Sequence, residues 1–208
     1  MTDDTVRPPI PTTCEHRPTV AGVVIPWGNV QFADGGADFR VQHESWIQRC
    51  WLEGLCQLCG LTIPGLRVLF GGPNQVAALQ FDEPPMHPEC AVYASRACPM
   101  VAGRLSHYAT RDVVSNGPRG KTCFEPGCDC GGWVPHPGLV QSEGGDPAHD
   151  WYAVYTYGIA LAVSPDRPDR VHSCVVTPDQ VVTIRHMSTP GVGRTWRRMS
   201  LADAGVVD

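Results

Sequence analysis

Two short pairs of metal-seeking side chains constrain this chain more than any other feature. Cys56 and Cys59 form a C-x2-C pair in LCQLCG, and His87 and Cys90 form an H-x2-C pair in EPPMHPECA. Each pair can chelate from a single tight turn, and two such pairs supply the four donors of a tetrahedral zinc site. Gly60 follows the first pair, where a turn that aims backbone amides at thiolate sulfur calls for it. The second pair opens a stretch that can run as a helix to Cys98, with Pro88 tolerated in its first turn and Pro99 as a stop. The thiolate of Cys90 then sits at a helix N-terminus, which favours its charge. Four good donors fill a tetrahedron and leave no position for water, so the pattern predicts a structural rather than a catalytic metal.

The flanking stretches fit that centre. Trp46, Ile47, Cys50 and Trp51 fall on one side of a helix over residues 43–53, and Gly54 is placed to end it in a left-handed cap. Cys50 on that side reads as a small buried hydrophobe rather than a ligand. Upstream, residues 19–32 suggest a strand, a break at Pro26-Trp27 and a second strand. The turn at 33–36 then gives a hairpin into Asp38-Phe39-Arg40-Val41. Downstream of the C-x2-C pair, strands are expected at 66–70 and 76–81, joined through Gly71-Gly72-Pro73-Asn74. A knuckle, a hairpin and then a ligand pair at a helix start is the layout of a treble-clef zinc finger.

The predicted class is α+β: small antiparallel sheets, a treble-clef-like zinc finger and a few short helices. With 22 Gly, 20 Pro and only 18% charged residues, short elements and many turns are expected. We divide the chain into an extended segment at 1–18, a hairpin and zinc core at 19–102, a Cys-rich irregular insertion at 103–150, and C-terminal strands at 151–208 that pack on the core. The net charge of −5 argues against non-specific coating of nucleic acid. No stretch has the run of apolar residues a membrane span needs, and MTDDTVRPPIPTT has no export-signal core. Cytoplasmic residence is therefore expected, where ten cysteines favour metal over disulfides.

Two further groups stand out. Cys123, Cys128, Cys130 and His136 lie within TCFEPGCDCGGWVPH, and Cys14 and His16 can supply missing ligands if the N-terminus folds back. A second zinc, a redox-active thiol set and an exposed loop with free cysteines all remain open for this group. His107 and His149 read as ordinary loop histidines. The tail gathers Arg194, Trp196, Arg197 and Arg198, with Arg185 and His186, into a basic-aromatic patch that is a candidate partner surface, although a solvated terminal face is the plainer reading.

The motifs of several enzyme classes are absent. There is no G-x4-G-K-[ST], no G-x-S-x-G and no H-E-x-x-H, and His43-Glu44 lacks the spacing of a zinc deaminase. The residues do resemble those of an uncharacterised family of small bacterial and phage zinc-binding proteins. That resemblance rests on Ile25-Pro26-Trp27, Asp38-Phe39-Arg40, Cys56 to Gly60, Gly72-Pro73, Glu83-Pro84-Pro85 with His87, Cys90 and Ala91, and Cys98-Pro99. It covers about residues 25–102, is most specific in the zinc half, and returns faintly around Trp151 to Val182. Gln57 stands where the family pattern carries Trp, Met100-Val101 stands where it carries Phe-Leu, and the 123–136 cluster falls outside it. The resemblance implies a fold and a metal, not a reaction.

Two functions are weighed. The first is a zinc-stabilised, non-enzymatic module that binds a macromolecule, protein somewhat ahead of nucleic acid given the acidic charge. The second is a small enzyme, with a second metal or reactive thiol at 123–136, or a pocket at Asp38 and Arg40 beside Trp27. A hairpin ion pair is the plainer reading of Asp38 and Arg40.

Overall fold

The computed structural model describes residues 7–31, 37–108, 145–165 and 167–206. The chain enters through a Pro-rich stretch and one 3-10 turn at Thr12–Cys14. Strands β1 (Thr19–Val20) and β2 (Val23–Val24) close a hairpin over Ala21 and Gly22, at φ 49° and 75°. Two consecutive positive φ values give the turn whose twist matches paired strands. Strands β3 (Asn29–Gln31) and β4 (Ala37–Gln42) pair antiparallel, as the turn residues between them predict. Helix α1 (Glu44–Glu53) buries Trp46, Ile47, Cys50 and Trp51 and stops at Gly54 with φ 67°, as the spacing predicts. Cys50 is fully buried there, burial pushes its thiol pKa up, and it lies outside the metal-ligand cluster.

Strand β5 (Arg67–Gly71) follows, but the return strand expected at 76–81 does not form. Pro73 instead opens helix α2 (Pro73–Ala78), with the Gln75 side chain accepting the Gly72 N–H, and only β6 (Gln80–Phe81) is extended. The reason is local. Proline presets φ for a first helical turn, and Val76 and Leu79, three apart, then share a buried side. Helix α3 (Pro88–Ala97) is the third helix among the described residues.

Strands β7 (Trp151–Thr156), β8 (Ala160–Ser164), β9 (Arg167–Val175), β10 (Val181–Thr189) and β11 (Gly193–Met199) come from the C-terminal part of the chain. The main sheet has the order β11-β10-β7-β5 and a smaller one the order β6-β9-β8, antiparallel throughout. Strand β5 thus finds its partner in β7, far along the chain. Val68, Phe70, Ala153 and Tyr155 join one buried cluster with Cys56, Cys59, Cys90 and the α3 residues Ala91 and Tyr93. Leu69, Val154 and Ile184 join another with Ile47, Trp51, Val76 and Val171. Successive strand side chains point to opposite faces, so a strand covered on both faces reads as a continuous apolar run. That accounts for VLF in β5 and AVY in β7. One face of the main sheet supports the metal-ligand cluster, and the other supports α1 and α2.

Polar side chains tie the layers. Ser188 donates to the Val101 carbonyl at 2.6 Å, fixing the chain beyond α3 to the sheet. Buried His186 bridges Asp150 at 2.7 Å and Thr195 at 2.5 Å, pinning β11 where its register shifts. Gln48 of α1 donates to the Val171 carbonyl at 2.7 Å and accepts the Val171 N–H at 3.0 Å, so it extends the ladder of β9. No helix among the described residues is long and apolar enough to cross a membrane.

The Gln48 pair is testable. Gln48→Ala leaves both Val171 backbone groups without their partner and should cost about 1–3 kcal/mol in urea unfolding, with the slope unchanged. A cost within error of zero would mean that water serves Val171 equally well.

Candidate metal centre

The first half of the site is a tight knuckle. The Cys56 N–H donates to the Leu61 carbonyl and the Gly60 N–H to the Cys56 carbonyl, both at 2.8 Å. Gly60 has φ 77°, and a Cβ there would lie 2.4 Å from Cδ1 of Trp27. Backbone handedness and the indole together require glycine. The N–H groups of Trp27 and Gly28 donate to the carbonyls of Leu58 and Gln57 at 2.9 and 3.0 Å, lashing the Pro26-Trp27 break to the knuckle. What reads in sequence as a strand interruption is a brace.

The second half is the start of α3. His87 is its N-cap, in extended conformation, and Pro88 stands at the first helical position. Val68 and Met86 exchange two backbone hydrogen bonds at 2.9 Å, and the Gln57 N–H donates to the Pro85 carbonyl at 3.1 Å. These bonds set the helix start against the knuckle in place of the expected hairpin. The carboxylate of Glu83 accepts from the side-chain amides of Gln57 at 2.5 Å and Gln42 at 2.6 Å, a further link between the halves.

The result is a buried Cys3His cluster. The ligand atoms of Cys56, Cys59, His87 and Cys90 all lie within 4.8 Å of one another. Nδ1 of His87 is 3.4 Å from Sγ of Cys59 and 4.0 Å from Sγ of Cys90. Zinc bonds of about 2.3 Å to sulfur and 2.0 Å to nitrogen make a tetrahedral S···N edge of roughly 3.5 Å. Nε2 of His87 lies 3.1 Å from the Thr62 carbonyl. A carbonyl only accepts, so the proton resides on Nε2 and the lone pair of Nδ1 is turned toward the thiols. The three thiols are fully buried and the imidazole is half-buried. The residues fit a zinc ion in donor type, number and spacing.

Crowded thiols compete for charge. Cys59 is held far below the ordinary thiol range by hydrogen bonds from Cys14, Cys56 and Cys90. Burial pushes Cys56 up, and the contact with Cys14 is foremost in pushing Cys90 up. Arg17 donates to the Ile25 carbonyl and lies near enough for charge on Cys14 and Cys59 to raise its pKa, although burial lowers it overall.

Cys14, grouped in the sequence with the second cluster, stands instead against the first. It is 1% exposed, with Sγ 3.8 Å from Sγ of Cys90. His16 reaches the backbone of the knuckle, Nε2 to the Cys59 carbonyl at 2.9 Å. Cys123, Cys128, Cys130 and His136 lie outside the described residues, as do the side chains of Asp38 and Arg40. His107 and His149 are apart from the cluster; His149 lies between the Tyr108 hydroxyl at 2.8 Å and the Asp150 carbonyl at 3.0 Å.

Arg194, Trp196, Arg197 and Arg198 all fall on β11. Trp196 has φ 50°, is half-buried against the metal-side core, and carries the guanidinium groups of Arg194 and Arg185 at 5.3 and 5.7 Å. Its ring packs against that core, whereas Arg197 and Arg198 are exposed. Sequence reasoning missed a cavity of about 380 Å³ to which Arg7, Arg96, Arg104 and Arg194 all contribute. Nothing local joins four arginines from such distant parts of the chain.

Searches for relatives return nothing for this chain: no family model, no curated protein and no solved structure matches it.

Gly60 offers a direct check on the knuckle. Gly60→Ala should destabilise the metal-loaded protein by on the order of 2 kcal/mol, from left-handed strain and the Trp27 contact. A thermal melt unchanged from the parent would contradict the geometry described for the turn.

Proposed function

We propose that this chain is a zinc-stabilised, non-enzymatic binding module whose partner is an acidic segment of another protein. The observation that carries the reading is the arginine cavity beside a closed metal cluster. Arg96 comes from the last turn of α3, Arg194 from β11 and Arg7 from the N-terminal segment, and Arg104 donates to the carbonyls of Arg96 and Ala97. No carboxylate is among the described residues that line the cavity. Guanidinium groups held in this way suit carboxylates, with which they form paired, charge-assisted hydrogen bonds.

The confined shape favours a local acidic group over a nucleic acid, whose regular phosphates are usually met by a longer basic track. The net charge of −5 points the same way. Zinc is the metal we infer, because three thiolates and an imidazole at tetrahedral spacing suit it best. Its part is structural. Cys56, Cys59, His87 and Cys90 fill its coordination sphere and hold the knuckle to α3, which in turn holds Arg96 and Arg104. A buried Cys3His centre of this kind suits a reducing, cytoplasmic setting.

The test compares a labelled oligoglutamate with a single-stranded oligonucleotide of equal charge, each titrated at several salt concentrations. The peptide should bind more tightly, and Arg96→Ala with Arg194→Ala should weaken it about tenfold or more. Tighter oligonucleotide binding with a steep salt slope would overturn the choice of a protein partner. Indifference of peptide binding to the two substitutions would overturn the cavity as the site.

A further inference from the structure

The N-terminal segment brings a fourth sulfur to the metal centre, and the Cys3His cluster does not account for it. We propose that Cys14 is a fifth donor of this site, able to take the ligand position of His87, so that the bound metal clamps the N-terminal segment onto α3.

Three observations carry this. The first is distance. Zinc–sulfur bonds of about 2.3 Å give a tetrahedral S···S edge of roughly 3.8 Å. Cys14 and Cys90 are 3.8 Å apart. Cys14 therefore approaches the Cys90 sulfur as closely as Nδ1 of His87 does, at 3.8 against 4.0 Å.

The second is the way Cys14 is held. It ends a 3-10 turn in which its N–H donates to the Pro11 carbonyl at 2.8 Å, and its own carbonyl accepts from Arg17 at 2.9 Å. Thr13 places its hydroxyl 3.3 Å from Sγ of Cys90, and His16 holds the Cys59 carbonyl. A thiol carried on a turn with contacts to both ligand pairs is positioned, and it is more deeply buried than the imidazole it would replace.

The third is charge. Exchanging a neutral imidazole for a thiolate adds one negative charge to the metal complex. Arg17, largely buried and close enough to feel charge on Cys14 and Cys59, is placed to offset it.

The consequence reaches the arginine cavity. Arg7, Pro8 and Pro9 line that cavity, and residues 8–12 run beside Val92, Tyr93 and Arg96 of α3. A metal that engages Cys14 fixes the segment that supplies Arg7. This consequence rests on the proposed binding role, but the ligand exchange does not.

The experiment is cobalt(II) titration of the full chain and of its Cys14→Ala, His87→Ala and double variants. It reads tetrahedral d–d absorption and the thiolate-to-cobalt charge-transfer band. The single variants should each bind one tetrahedral cobalt, with the charge-transfer band of His87→Ala about a third more intense than that of Cys14→Ala, four thiolates against three. The double variant, left with three thiolates and a water, should bind cobalt more weakly than either single variant, with a charge-transfer band no stronger than that of Cys14→Ala. Should His87→Ala fail to fold, His87→Gln, whose amide can still donate to the Thr62 carbonyl, is judged on the same bands. Loss of tetrahedral cobalt in that folded variant, or a band no stronger than that of Cys14→Ala, would overturn the proposal. Because no anionic partner enters the measurement, its failure is distinct from failure of the binding reading.

Discussion

The structure depends on three buried sulfurs and one imidazole converging from two separate stretches of chain. Thiolates buried close together repel one another and lose hydration, so without a cation the arrangement opposes the folding that creates it. The thiol shifts express that conflict: burial pushes Cys56, and the neighbouring sulfur of Cys14 pushes Cys90, toward the protonated form. A divalent metal reverses the sign of the interaction, because every donor then gains from being charged or turned inward. Site formation and local folding become one process.

The sheet transmits that order. Val68 and Phe70 face the cluster while Leu69, between them, faces α1 and α2. The same β5 segment exchanges hydrogen bonds with Met86, immediately before His87. A shift of β5 would therefore move the helix start and both cores together. The C-terminal strands share in this dependence, since β7 pairs with β5 and Ser188 of β10 ties down the chain that leaves α3.

What was legible in the sequence was mainly what is decided locally. The ligand pairs announce themselves because each sits in one turn, and Gly54 and Pro88 mark helix ends through their own backbone preferences. The spacing of Trp46, Ile47, Cys50 and Trp51 likewise predicted a buried helical side. Longer-range choices were not legible. Residues 76–81 have strand composition, but Pro73 and the Gln75 cap commit most of that stretch to α2. The pairing of β5 with β7 is a choice among many apolar runs, made by the core rather than by either segment. Cys14 lies beside Cys90 only because the β1–β2 hairpin and Tyr93, whose hydroxyl accepts the Val24 N–H at 2.9 Å, fold the N-terminus back over α3. The four arginines meet for the same reason.

The most direct test of the central claim joins metal analysis to hydrogen exchange on the full chain, purified without added zinc. The account predicts one tightly held zinc per chain. Chelation should abolish amide protection through the knuckle and α3, and restored zinc should return it. A metal-free chain with the same protection across residues 55–98 would contradict the account, because packing alone would then hold the two halves together.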